Sequence, residues 1–74
     1  MSTGSDSTNL TICLNGQPEA MTGLATVARL VQKRAPRPPF AVEVNKRLVR
    51  QSEYAATELH EGDVVEIVTL VGGG

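Results

Sequence analysis

This chain of 74 residues carries one cysteine, one histidine and two aromatic residues. The single cysteine, Cys13, can form no internal disulfide. With the single histidine, His60, it cannot close a four-ligand zinc site. A chain of this length makes one small domain with a thin stability margin, here without a covalent or metal framework to reinforce it. The lack of disulfides favours a reducing compartment, and a cytoplasmic location is expected. No stretch approaches the length of a membrane span. Residues 1–9 are small and polar, lack the apolar run of a secretory signal, and read as a flexible leader. Net charge is −1, and Phe40 apart, the basic segment has no interleaved aromatics for base stacking. Neither a nucleic acid nor a membrane is expected as a partner.

The charge is unevenly placed. All seven basic residues lie between Arg29 and Arg50, and Glu53, Glu58, Glu61, Asp63 and Glu66 follow with no lysine or arginine among them. Ordinary solvated faces account for this, and a surface that orients the domain on a charged partner is the alternative. The scattered reactive side chains read as structural. His60 and Asp63 belong to a turn, Tyr54 is a lid on the core edge, and Cys13 is a small apolar residue with no base or cation to activate it. No catalytic residue, metal site or bound cofactor is expected.

Hydrophobic periodicity organises the rest. Leu10, Ile12 and Leu14 alternate, and Asn15-Gly16 then marks a hairpin, since both positions tolerate positive φ. The return strand, Gln17 to about Met21, contains Pro18 and is placed at a sheet edge. Thr26 caps a helix of about ten residues with Val27, Leu30 and Val31 on its inner face, and Pro36 ends it. Pro38-Pro39 keep the connection extended. Phe40 to Val44 alternates with Val42 and Val44 inward. Asn45-Lys46-Arg47 turns it into a short strand, Leu48-Val49-Arg50. Ser52 caps a helical turn, Leu59 plugs the core, and Glu61-Gly62-Asp63 turns into a last strand from Val64 to about Val71. The order is β-β-α-β-β-β, an α+β arrangement. The first and last strands pair as parallel central strands, and one helix covers one face.

Parity divides the last strand. Val65 and Ile67 face the helix, while Glu66, Val68 and Leu70 face away, on the side of Thr11 and Cys13. Val68 and Leu70, with Cys13 and Phe40, are expected to form an exposed apolar patch of the kind that marks docking surfaces. Beyond them the chain reads Val71-Gly72-Gly73-Gly74. The side chains offer no catalytic cluster, so the Gly74 carboxylate is the candidate functional group. A carboxylate is a poor electrophile and must be activated, typically as an acyl-adenylate. Gly72 and Gly73 make a stem thin enough to run close against the walls of an enclosing active site. Ordering that stem costs entropy, which contacts to Val68, Leu70 and Val71 would offset. The expected organisation is a leader at 1–9, a folded domain at 10–71 and a glycine tail at 72–74.

Over residues 10–74 the chain resembles the small sulfur-carrier proteins of thiamine biosynthesis, which have the ubiquitin-like β-grasp fold. The likeness is carried by Leu14-Asn15-Gly16, Ala25-Thr26-Val27 with Leu30-Val31, Ala41-Val42-Glu43-Val44-Asn45, Val49-Arg50 and Glu53-Tyr54. It continues through Leu59-His60-Glu61-Gly62-Asp63-Val64-Val65-Glu66-Ile67-Val68 to the closing Val71-Gly72-Gly73-Gly74. The leader and the proline-rich link at 35–39 depart from that pattern. The resemblance implies a mixed four- to five-stranded sheet with one main helix, in a carrier that is not itself an enzyme and is monomeric when free. An E1-like adenylyltransferase would spend ATP to adenylylate Gly74. A persulfide donor fed by a cysteine desulfurase would convert the adenylate to a thiocarboxylate, and a thiazole synthase would take the sulfur. Rival readings are the small subunit of molybdopterin synthase, a ubiquitin-like protein modifier, and a binding module with an inert tail. The molybdopterin family usually has proline before its final glycines, where this chain has Thr69-Leu70-Val71-Gly72.

Overall fold

The computed structural model describes residues 9–70. The chain forms β1 (Asn9–Leu14), β2 (Gln17–Thr22), α1 (Val27–Arg34), β3 (Phe40–Val44), β4 (Arg47–Val49), a 3₁₀ segment (Gln51–Ala56) and β5 (Val64–Thr69). The strands build one mixed sheet in the order β2-β1-β5-β3-β4. β5 lies in the middle, parallel to β1 and antiparallel to β3. This is the expected order and the expected central parallel pair, and it is the ubiquitin-like β-grasp arrangement.

The first hairpin follows the sequence closely. Ile12 and Leu14 are buried, Thr11 before them is exposed, and Cys13 between them is half-buried. Asn15 (φ +50°) and Gly16 (φ +82°) form a two-residue link in which Leu14 pairs with Gln17. Positive φ at both central residues is what a type I′ turn requires. Pro18 lies on the edge strand β2, which runs one residue further than expected, to Thr22. At the other end Asn9, assigned to the leader by composition, opens β1.

Thr26 caps α1 from an extended conformation, its Oγ1 accepting the Arg29 N–H at 3.2 Å. Such a cap is worth about 1 kcal/mol. The helix has eight residues rather than ten. It ends before Pro36, because Ala35 already takes a left-handed φ of +45° and donates its N–H to the Val31 carbonyl at 2.7 Å. The link then bends instead of staying extended, with a cis Pro38–Pro39 bond.

Two local readings are corrected. The link after β3 has two residues, not three. Asn45 (φ +52°) and Lys46 (φ +71°) both take positive φ, so β4 starts at Arg47 and ends at Val49. The reason is tertiary. The Asn45 side chain reaches across to β5, where Oδ1 accepts the Val64 N–H at 2.9 Å and Nδ2 donates to Asp63 Oδ1 at 3.1 Å. These bonds hold a tight turn that has no glycine. The segment after β4 is 3₁₀, and Ser52 does not cap it. Arg50 occupies the cap position, and its main-chain N–H donates to Glu53 Oε1 at 3.4 Å.

The core lies between α1 and the sheet. Ile12, Leu14, Met21, Ala25, Val27, Leu30, Val42, Leu59 and Val65 are buried, and Tyr54 and Ile67 pack against them from the margin. The N-terminus of α1 is tied to the chain after the 3₁₀ segment. Val27 donates to the Thr57 carbonyl at 3.0 Å, and Leu59 donates to the Ala25 carbonyl at 2.8 Å. These bonds hold Leu59 under the helix, as its reading as a core plug anticipated.

Candidate functional site

The candidate site is the end of β5 and the sheet face away from α1. β5 is fastened first at its start. Gly62 turns the chain with φ +84°, and Asp63 Oδ2 accepts the His60 N–H at 2.8 Å. Glu61 Oε1 accepts the Thr11 N–H at 2.9 Å, tying the same turn to β1. His60 and Asp63 therefore serve the turn, with His60 Nδ1 and Asp63 Oδ2 3.7 Å apart. The strand then runs between its two neighbours. At its far end the Leu70 N–H donates to the Pro39 carbonyl at 2.7 Å. Val71, Gly72, Gly73 and Gly74 lie outside the described residues.

The register confirms the division of β5. Val65 pairs with Leu14 on one side and Val44 on the other, and is fully buried. Ile67 pairs with Val42 and packs against the core. The residues that alternate with them face the other way, and Val68 and Leu70 are 47% and 53% exposed. Val64 is exposed as well and pairs with the half-buried Cys13. Phe40 does not join this face. It shares the parity of Val42 and packs against the core, because the period of two that turns Val42 and Val44 inward turns Phe40 inward too.

Leu48 takes the place expected for Phe40. With β4 starting at Arg47, Leu48 pairs with Glu43 and falls on the outer face, where it is 66% exposed. The sequence did carry the signal. A two-residue link after Val44 pairs Val44 with Arg47 and sends Leu48 outward, whereas a three-residue link leaves its direction open. The bare face thus offers Val64, Val68, Leu70 and Leu48, with Ala41 beside Val68. Glu43 and Glu66 sit directly opposite each other in the middle of it. Like charges paired across strands are destabilising, so this face is not arranged for stability alone.

Among the described residues no group of three or more histidine, cysteine or carboxylate side chains could hold a metal ion. Every buried side-chain nitrogen or oxygen among them has a hydrogen-bond partner. Of the basic residues, Lys33 and Arg34 are engaged with Glu19, at 2.9 Å and 3.5 Å. What the arrangement offers is an apolar platform leading along β5 to the residues that precede Val71.

A β-grasp sheet whose last strand lies in the centre, bare on one face and continuing into a glycine-rich end, defines the class of small ubiquitin-like domains. Within that class, the ThiS family matches residues 12–74, and the chain belongs to that family. It is similar to the thiamine biosynthesis protein ThiS from Geobacter metallireducens, known from a crystal structure. The two are 26% identical with a TM-score of 0.73, over 88% of this chain and all of that one. No curated protein sequence matches.

Proposed function

We propose that this protein is a sulfur carrier in thiamine biosynthesis whose working group is the Gly74 carboxylate. The observation that carries the reading is the bare apolar face of β5, which runs through Val68 to Leu70 and adjoins the segment leading to Gly72-Gly73-Gly74. Membership of the ThiS family and the likeness to a thiamine biosynthesis protein support the pathway. No helix among the described residues is long and apolar enough to cross a membrane, and the proposed setting is the cytoplasm.

The chemistry divides between this chain and its partners. An E1-like adenylyltransferase docks on Val68, Leu70 and Val71 and takes Gly72 and Gly73 into its active site. The Gly74 carboxylate attacks the α-phosphate of ATP, and pyrophosphate leaves. A persulfide, charged by a cysteine desulfurase system, displaces AMP from the acyl carbon. Attack by a second thiol on the resulting acyl disulfide frees the thiocarboxylate, which a thiazole synthase consumes. The carrier supplies no general acid or base, and its contributions are shape, reach and a docking face.

Intact mass of the protein from its native host is the direct test. A species with one C-terminal oxygen replaced by sulfur is expected, and it should vanish on deletion of Gly73-Gly74 together with thiamine-independent growth. Growth unaffected by that deletion overturns the reading. Covalent ladders on lysines that depend on Gly74 would instead identify a protein modifier, and stable co-purification with a molybdopterin synthase large subunit would move the carrier to that pathway.

A further inference from the structure

Asn15 does two things, and only one of them belongs to the turn. Its φ of +50° serves the link between β1 and β2, a place glycine would fill equally well. Its side chain is engaged elsewhere. Oδ1 accepts the Ile67 N–H at 2.9 Å, and Nδ2 donates to the Ile67 carbonyl at 3.3 Å. The main-chain N–H of Asn15 donates to the Val65 carbonyl at 2.9 Å. The paired residues of β1 and β5 stop at Leu14 and Val65. The carboxamide therefore stands in for a missing strand and satisfies both main-chain groups of the next inward-facing residue of β5.

The two sides of β5 are held to different lengths. Val64 and Leu70 bond toward β3, through the Asn45 N–H to the Val64 carbonyl at 2.7 Å and the Leu70 N–H to the Pro39 carbonyl at 2.7 Å. Val65 and Ile67 bond toward β1 and its turn. By the alternation of a strand, Thr69 is the next residue to face the β1 side, and among the described residues no strand lies there after Leu14. Among the described residues Asn15 is thus the last grip on that side of β5, and it holds Ile67, seven residues before Gly74.

We propose that the Asn15 carboxamide is a positioning residue for the carrier tail: its grip on Ile67 fixes the direction in which β5 leaves the sheet, and with it the approach of Gly74 to the activating enzyme. The activity part of this claim rests on the carrier reading above, whereas the grip itself can be measured without it. A partner seated on Val68 and Leu70 takes its bearings from the bare face. The tail must then point correctly relative to that face, and small misplacements of a reacting group cost large factors in rate. Loosening the grip leaves the docking residues in place, so its effect falls on turnover rather than on binding.

Asn15→Gly tests this, because it keeps the turn and removes the carboxamide. Amide exchange in the variant should accelerate by about tenfold or more at Ile67, against little change at Val42 and Leu30. In adenylylation by the cognate enzyme, kcat should fall by about tenfold with KM near that of the wild type. Asn15→Asp keeps the acceptor oxygen and should fall between the two proteins in both readouts. Unchanged exchange at Ile67 overturns the grip, as does acceleration spread evenly over Ile67, Val42 and Leu30. An Asp variant no better than Gly overturns the hydrogen-bond account. Wild-type protein activated at a rate the Gly variant matches overturns the positioning role alone. Wild-type protein that is never activated overturns the carrier reading, and the positioning role with it.

Discussion

The two faces of β5 share one backbone and differ in everything else. On the helix side Val65 is fully buried between Leu14 and Val44, and Ile67 closes the core beside Val42. On the other side Val64, Val68 and Leu70 stand exposed around a pair of opposed glutamates. The first face is what burial free energy selects. The second spends apolar surface on solvent and places like charges together, which a domain of this size tolerates only at a small cost in stability. One strand therefore separates folding from recognition by the direction of a side chain, and substitutions at neighbouring positions, on opposite faces, should fail in different ways.

The largest effect is expected on the buried face. Val65→Asp puts a carboxylate into a site with no partner and should cost about 4 kcal/mol or more, enough to unfold a small domain. Circular dichroism should show loss of the folded signal, and a folded, active variant would contradict the assigned parity. Next comes the bare face. Leu70→Glu should leave the melting temperature within a few degrees of the wild type, because Leu70 is 53% exposed and its N–H bond to Pro39 involves only the main chain. Its adenylylation should fall by about tenfold or more, as for a charge driven into an apolar contact. Retained activity would remove Leu70 from the docking surface. The smallest change is Glu66→Gln. Relieving the opposition to Glu43 should raise stability by about 0.2–1 kcal/mol, read as a small rise in melting temperature. A loss of stability would show that the pair is compensated within the fold.

Much of this was legible in the sequence wherever a local rule and the tertiary structure agree. Asn15-Gly16 specifies its turn, Thr26 its cap, and the alternation from Val64 to Leu70 its two faces. Readings failed where a distant contact decides. Asn45-Lys46 lacks the glycine that announces a tight turn, and its conformation is held by bonds from Asn45 to Val64 and Asp63 across the sheet. That one-residue error hid Leu48 from the bare face. Phe40 shares the inward parity of Val42 and so lies off that face. The bonds from Asn15 to Ile67 span 52 positions, and no local pattern announces them. Val71 and Gly72 to Gly74 lie outside the described residues, and their roles stand on chemistry and family likeness.

The sheet order β2-β1-β5-β3-β4 also has a meaning in time. The two hairpins are each contiguous in sequence and can form as soon as their residues leave the ribosome, but they share no ladder until the final strand arrives. β5 is the keystone and, of the five strands described, the last to be made. Folding must await a long-range closure, which slows it relative to a chain of local contacts. It also means that a chain ending before Val64 lacks the strand that pairs with both hairpins, which leaves β1 and β3 with open edges. Completing the fold and reaching the segment that leads to the tail are thus the same event in the life of the chain.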